Sequence, residues 1–176
     1  MTALKDRLPA TLTTERLVLA TPAMAHVPQM AKLANNKRIH EVLSRLPHPY
    51  GKKDGEHFVM EIARGETEFA WSILRDGDYV GTMGLHLLPG ELPELGYWLG
   101  EPHWGQGIAT EAGRAVVDAA RAAGAAALRS RTLLSNSGSR NVLKKLGFTE
   151  IGESKDKDGT LKGQAVMLMR LEFSER

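Results

Sequence analysis

The spacing of apolar residues changes several times along the chain, and each change marks an element. ERLVLAT (15–21) alternates and is rich enough in branched residues to predict a first strand. Over residues 24–34, Val27, Met30, Ala31 and Ala34 recur at helical spacing and predict an amphipathic helix. NNKRIHEVLSRL predicts a second, shorter helix, which ends at LPHPYG because two prolines forbid continuation. Residues 54–63 return to the helical pattern through Phe58, Val59 and Ile62. The period then falls to two: EFAWSILR and YVGTMGLHLL flank Asp76-Gly77-Asp78, a hairpin signal. ELGYWLG predicts a third strand, followed by a glycine turn and a helix over 110–123. A strand over 127–134 and a helix over 137–146, stopped by Gly147, come next. FTEIGE and QAVMLMRLEF then predict two closing strands around KDKDGT. This order describes an α+β fold built on one mixed sheet.

Composition narrows the class. With 176 residues and 42% hydrophobic content the chain can bury one sizeable core, so a single domain over 1–176 is expected. Its 23 basic and 21 acidic side chains nearly balance, which argues against a protein that neutralises a nucleic-acid backbone. The absence of cysteine excludes disulfides, a thiolate nucleophile and cysteine-ligated metal. The N-terminus is polar, and no apolar run approaches the length of about eighteen residues that a membrane span needs, so a soluble, cytoplasmic protein is expected. His26, His40, His48, His57, His86 and His103 lack metal-ligand spacing, so no metal is expected. There is also no Gly-x-Ser-x-Gly elbow.

The chemistry concentrates in WLGEPHWGQGIATEA (98–112). Gly105, Gln106, Gly107, Ile108, Ala109 and Thr110 fall where the first N–H groups of a helix lack intrahelical acceptors. Such donors, with the positive end of the helix dipole, make an anion site, and glycine lets a ligand approach the backbone. A tight strand-to-helix turn that merely needs glycine dihedrals explains the same residues. A Walker A loop is excluded because no lysine follows the glycines. A dinucleotide fingerprint would want glycine where Thr110 stands and an acidic residue about 20 positions on. Residues 119–149 contain no acid at all, but do contain Arg121, Arg129, Arg131, Arg140, Lys144 and Lys145. That stretch suits a ligand with several phosphates; for Lys144 and Lys145 a solvated helix face is the preferred account.

These residues resemble a known family. Trp104-Gly105-Gln106-Gly107-Ile108-Ala109 stands in the place of the Arg/Gln-x-x-Gly-x-Gly/Ala motif of the GCN5-related N-acetyltransferases (GNAT), and NSGSRNVLKKLGF (136–148) is similar to their second cofactor motif. The likeness is greatest to the ribosomal-protein alanine N-acetyltransferases. TERLVL, LPHPYGKKDGEHFV, WSILRDGDYVGTMGL and ELGYWLGEPHWGQGIATEA carry it, in order, over nearly the whole chain. Trp104 departs from the usual arginine or glutamine, which removes one possible charge contact and leaves the backbone amides to hold the pyrophosphate.

The resemblance implies the GNAT fold, a mixed, mostly antiparallel sheet flanked by helices, with strands splayed around acetyl-CoA. Tyr97, Trp98 and Leu99 would offer their backbone to the pantetheine arm, and Thr110 a hydroxyl to the phosphates. Transfer would proceed by direct attack of a primary amine, so no enzyme nucleophile is required. Glu94, on one strand face with Gly96 and Trp98, is the candidate general base, acting through water. Many relatives use a tyrosine beyond the second motif as proton donor, but only Tyr50, Tyr79 and Tyr97 exist. Ser139, on a helical face with Val142, Leu143 and Leu146, is the candidate instead. Asn136 is a helix cap, a cofactor contact, or both, and Arg140 is a candidate phosphate ligand. His48, Tyr50 and Trp71 are candidates for the acceptor groove, with core packing the rival account of Trp71.

The expected acceptor is the α-amine of a protein N-terminus, whose unperturbed pKa of about 8 lies well below the value of about 10.4 for lysine. A small-molecule amine (antibiotic, polyamine or amino acid) is the alternative. An inactive CoA-binding module and a Rossmann reductase are further ones. The resemblance is also compatible with a homodimer.

Overall fold

The computed structural model describes residues 3–174, and the alternating segments form one eight-stranded sheet. Its strands are β1 (Leu12–Thr13), β2 (Leu17–Ala20), β3 (Glu68–Arg75), β4 (Asp78–His86), β5 (Glu94–Leu99), β6 (Ala127–Leu133), β7 (Thr149–Lys155) and β8 (Ala165–Glu172). They lie in the order β1-β2-β3-β4-β5-β6-β8-β7, and every pairing is antiparallel except that of β5 with β6. The helices are α1 (Leu4–Arg7), α2 (Val27–Ala34), α3 (Lys37–His40), α4 (Lys52–His57), α5 (Ile108–Ala122) and α6 (Ser137–Lys145). No helix among the described residues is long and apolar enough to cross a membrane.

Two local differences from the sequence pattern have physical causes. The second helix was expected to run through NNKRIHEVLSRL but shrinks to the single turn α3. Asn36 caps it through its carboxamide, 2.9 Å from the Arg38 N–H. Beyond it the polar groups leave the helix: the His40 ring bonds the Leu46 carbonyl, and the Ser44 carbonyl accepts from the Thr160 N–H 3.0 Å away. Tertiary bonds thus outcompete continuation. The helix over 54–63 starts at Lys52 and relaxes into one π turn, Phe58–Ile62, closed by the Ala63 N–H on the Phe58 carbonyl. The short α1 and β1 carry too few residues for any periodicity to register.

Period-two alternation gives the sheet two unlike faces. On one, Trp71, Ile73, Met83, Leu85, Leu95 and Leu99 form the main core with Ile108, Ala112, Val116 and Ala120 of α5 and Leu143 and Leu146 of α6. The opposite face is nearly hollow at its centre. Cross-strand register aligns Glu68, His86 and Glu94 in one row, Ala70, Gly84 and Gly96 in the next, and Ser72, Thr82 and Trp98 in the third. A Cβ on Gly96 would meet nothing within 4 Å, so the open space lies at the β5 end of the middle row. Above it α2 brings Met30, Leu33 and Ala34 to a smaller apolar cluster completed by Tyr50, just before α4, and Tyr79 of β4, with Phe58 and Trp98 against it.

Strands β5 and β6 touch only at their beginnings. Their register contains the single pair Glu94 with Arg129, and the Ser130 hydroxyl then donates to the Leu95 carbonyl at 2.7 Å. Beyond that point the strands part. The backbone of β5 through Tyr97, Trp98 and Leu99 keeps β4 as partner on one side and has no register with β6 on the other.

Candidate active site

The glycine turn has the conformation an anion site requires. Gly105 and Gly107 are left-handed, at φ 73° and 76°, where a side chain is strained. Gly107 is the N-cap of α5, a helix of 15 residues, and no side chain caps the amides of Ile108, Ala109 and Thr110. Their donors stay open at the positive end of the dipole. The side chains of Ile108 and Ala109 are buried, which fixes the turn while Thr110 stays half-buried.

Two guanidinium groups from elsewhere in the chain bond to the turn. Arg16 donates to the Gln106 carbonyl at 2.9 Å, and Arg75 donates to the Gln106 side-chain oxygen at 2.5 Å. Both guanidinium groups therefore border the turn. Trp104 itself is partly exposed and donates its indole N–H to the Leu99 carbonyl at 2.9 Å, tying the turn to the end of β5. Glu111 locks the same corner: its carboxylate accepts from the Thr14 hydroxyl (2.6 Å), the Arg16 backbone N–H (2.9 Å) and the Arg16 side chain (2.7 Å). Desolvation opposes its charge, but these bonds and the Arg16 charge prevail and hold it below the ordinary carboxylate range.

The open edge of β5 leads to a cavity of about 610 Å³ over the hollow face. Leu43, Leu46, Tyr50, Phe58, Leu161 and Val166 line its apolar part. Burial, reinforced by the Asp54 charge, pushes the Tyr50 phenol up to about 12, so it remains a neutral wall. The other end is charged. Glu68, His86 and Glu94 lie in a row, Arg131 sits 3.3 Å from the Glu94 carboxylate, and its guanidinium also reaches Asp156 at 2.5 Å. Asp156 is buried, so this ion pair joins the loop after β7 to the sheet.

On the opposite side of β5 a second polar group meets the splay. The Tyr97 hydroxyl donates to the Ser139 hydroxyl oxygen at 3.3 Å, and Ser139 is placed by Asn136, whose carboxamide oxygen caps α6 through the Ser139 N–H at 3.2 Å. Burial raises the Tyr97 phenol, opposed by the bond to Ser139, so the phenol keeps its proton.

The structure thus gathers Glu94, Tyr97, Trp98, Leu99, the 105–110 turn, Asn136 and Ser139 around one splay. It does not do so for every expected residue. Arg140 pairs with Glu150 (2.8 and 3.0 Å) and bonds the Leu134 carbonyl (2.7 Å), an ion pair of the same kind as that of Arg16 with Glu111. Trp71 is fully buried in the main core, its indole N–H on the Pro9 carbonyl, and it does not line the cavity: core packing is its role. His48 is exposed and stacks on His40 with ring centroids 4.9 Å apart, outside the cavity lining. Of the three groove candidates only Tyr50 lines it. The basic stretch after residue 119 is also less free than its sequence implies, because Arg129, Arg131, Arg140 and Lys144 pair with Glu91, Glu94, Asp156 and Glu150. Conversely, Arg16, Arg75, Glu68, His86 and Asp156 enter the site without a sequence signal of their own, and Arg131, read as part of a phosphate-suited basic stretch, enters it on Glu94 and Asp156 instead.

Comparison with known proteins agrees with this architecture. The profile of the acetyltransferase (GNAT) domain matches residues 16–149. No protein of curated function matches the chain in sequence. Among solved structures, the microcin C7 self-immunity acetyltransferase MccE, in complex with acetyl-CoA and AMP, superimposes with TM-score 0.83 at 16% identity, over 95% of this chain and 98% of that one. RimL, the ribosomal L7/L12 alpha-N-protein acetyltransferase in complex with coenzyme A, gives 0.81 at 18%, over 94% and 97%. Mycobacterium smegmatis RimJ, in complex with a CoA disulfide, gives 0.76 at 20%, over 94% and 84%. At these identities the structural likenesses speak for the fold, and the profile match over most of the chain settles its kinship. The chain belongs to the GNAT acetyltransferase family.

Proposed function

We propose that this acetyltransferase acts on the α-amine of a protein N-terminus, with acetyl-CoA as donor. Bound there, acetyl-CoA supplies an activated acetyl group as a thioester. The residues present fit such a ligand: two left-handed glycines, an uncapped helix start bordered by Arg16 and Arg75, and a strand edge freed beside them. Gly105 to Thr110 would hold the phosphates through backbone N–H groups, and the backbone of Tyr97 to Leu99 the extended arm. Ser139, backed by the protonated Tyr97, is positioned to hold a proton for the departing thiolate.

The observation that carries the acceptor reading is the charged row at the cavity end. Glu94 faces the space next to the splay, and an arriving ammonium is a cation that such a row attracts. Its carboxylate is shared with Arg131, an arrangement suited to a fixed negative charge that orients the amine. An α-amine titrates at about 8 and needs only modest help to become neutral. Tyr50 and the apolar wall would then contact the first residue of the acceptor. The fold shared with RimL and RimJ supports a protein N-terminus. A cavity of about 610 Å³, within the size range of small-molecule sites, favours a small amine as second reading.

Thiol release from acetyl-CoA tests this with three acceptors: peptides with free N-termini, the same peptides with blocked N-termini and one lysine, and a panel of small amines. Turnover confined to free N-termini is expected. Turnover confined to small amines would replace the first reading by the second.

A further inference from the structure

His86, in the charged row of the cavity, makes two bonds that the chemistry above does not use. Arg45 Nη1 lies 2.8 Å from His86 Nε2, and His86 Nδ1 lies 2.9 Å from Glu68 Oε2. A guanidinium can only donate, so Nε2 carries its lone pair, the ring proton sits on Nδ1, and Glu68 accepts it. The imidazole is neutral, oriented by a carboxylate, with its basic nitrogen turned toward a cation. Gly84 makes this possible: a Cβ there would stand 3.0 Å from a Glu68 carboxylate oxygen. A carboxylate fixing an imidazole through Nδ1–H is the arrangement that prepares Nε2 to take a proton. Arg45 is an exposed side chain, and a substrate ammonium is likewise a cation that only donates. The two are interchangeable partners for one nitrogen.

We infer that His86, held by Glu68, is the base that deprotonates the acceptor amine, which displaces Arg45 from Nε2. The step balances simply. One N–H bond of the ammonium breaks and its electron pair remains on the amine nitrogen; the proton joins Nε2, and Nδ1–H stays on Glu68. The imidazolium then loses the proton to water before the next turnover. Glu94, held by Arg131, remains an anion that orients the ammonium beside His86. Arg45, and Glu68 on β3, bond the ring, and the other charged and titratable groups of the cavity are Glu94 and Tyr97 on β5, Arg131 on β6, Asp156 after β7, Tyr50, and Asp54 and His57 on α4. The inference rests on the amine-acetylation reading above.

The test is the pH profile of kcat/KM with an N-terminal peptide, for wild type, His86→Gln, Arg45→Met and Glu68→Gln, with acetyl-CoA affinity measured calorimetrically for each. His86→Gln should lose about 100-fold or more below the amine pKa, the loss narrowing above it, with acetyl-CoA affinity within about twofold. Arg45→Met frees Nε2 from its competitor, so kcat/KM should be kept or raised. Glu68→Gln removes the carboxylate that fixes Nδ1–H and should lower kcat/KM about tenfold or more, with acetyl-CoA affinity retained. A loss under about threefold in His86→Gln, or equal loss at every pH, overturns the assignment while leaving wild-type acetylation intact. If His86→Gln does not fold, the other two variants decide, and an unchanged kcat/KM in Glu68→Gln or a fall of about tenfold in Arg45→Met overturns it. A wild type that binds acetyl-CoA but acetylates no amine overturns the function and this inference together.

Discussion

Substituting Gly107 separates the phosphate cradle from the fold. The residue is left-handed at φ 76° and ψ 9°, and an added Cβ would lie 3.5 Å from an Arg16 nitrogen, at the rim of the turn. Gly107→Asn places a residue that tolerates this region, whereas Gly107→Glu adds a backbone cost of about 1–2 kcal/mol. For a chain of this length 1 kcal/mol corresponds to about 2–4 °C in Tm, so the glutamate variant should melt only a few degrees below wild type. Its effect on binding is larger. A carboxylate about 5 Å from one phosphate charge, at an effective dielectric of about 20, repels it by about 3 kcal/mol, more than 100-fold in affinity. Thermal unfolding with acetyl-CoA at about 100 times the wild-type Kd should stabilise wild type by about 2.7 kcal/mol, largely keep that rise in Gly107→Asn, and abolish it in Gly107→Glu. A folded Gly107→Glu protein whose Tm rises as much as that of wild type would refute the cradle.

Other expectations follow from the same geometry. Glu94→Gln should raise KM for a cationic acceptor about tenfold or more and leave acetyl-CoA affinity unchanged, read by steady-state kinetics and calorimetry. Ser139→Ala should lower kcat about 10- to 100-fold, and Tyr97→Phe less, because the phenol acts through the serine; equal KM for the amine in both variants checks that the acceptor side is untouched. Glu111, held below the ordinary carboxylate range, stabilises the fold above its unfolded pKa of about 4.3, and this is lost as pH falls through the lower folded value. The Tm gap between wild type and Glu111→Gln should therefore be widest near neutral pH and close in acid. In Gly159→Ala the new Cβ would stand 2.1 Å from the Ser44 carbonyl at φ 69°, breaking the contact that seats the loop carrying Asp156 and Leu161 over the cavity. Amine KM should rise with acetyl-CoA affinity retained.

Which features were legible in the sequence depends on the range of the interactions that make them. Strands, long helices and the glycine turn are written locally, in alternation, helical spacing and punctuation, and all of these appear where the pattern puts them. The row Glu68, His86 and Glu94 is not. Counting back from the tight turn at Asp76-Gly77 pairs Leu74 with Tyr79, and continued unchanged it would set Glu68 opposite Leu85. A bulge between Ile73 and Leu74 shifts the register by one residue, and one residue is enough to move a side chain to the other face. The Glu68–His86 pair exists because of that shift. Arg16, just before β2, and Arg75, at the end of β3, reach the turn from far away in sequence, and Arg140 is paired with Glu150 on the following strand. Each depends on a tertiary contact that no local pattern encodes. Trp71 was ambiguous for the opposite reason: its strand is buried on both faces near its middle, so its side chain gave no sign of which face it served.

The alternation of one strand also bears on how the proposed reaction is kept in order. Acetylating an ammonium takes two protons off the nitrogen, one before attack and one as the amide forms, while the departing sulfur gains one, so a single group serving both atoms would have to move between them. In β5 the odd positions Leu95, Tyr97 and Leu99 face α5 and α6, whereas Glu94, Gly96 and Trp98 face the cavity. Tyr97 therefore meets Ser139 on one side of the strand, while Glu94 stands beside the Glu68–His86 pair on the other. In the proposed reaction the proton-accepting and proton-donating groups would stand on opposite sides of β5, and the backbone edge freed by the parting of β5 and β6 would be where the two sides communicate. On this reading the splay does more than offer hydrogen bonds to an extended ligand. It is the opening through which an amine prepared on one face reaches an acyl group whose leaving sulfur is served from the other.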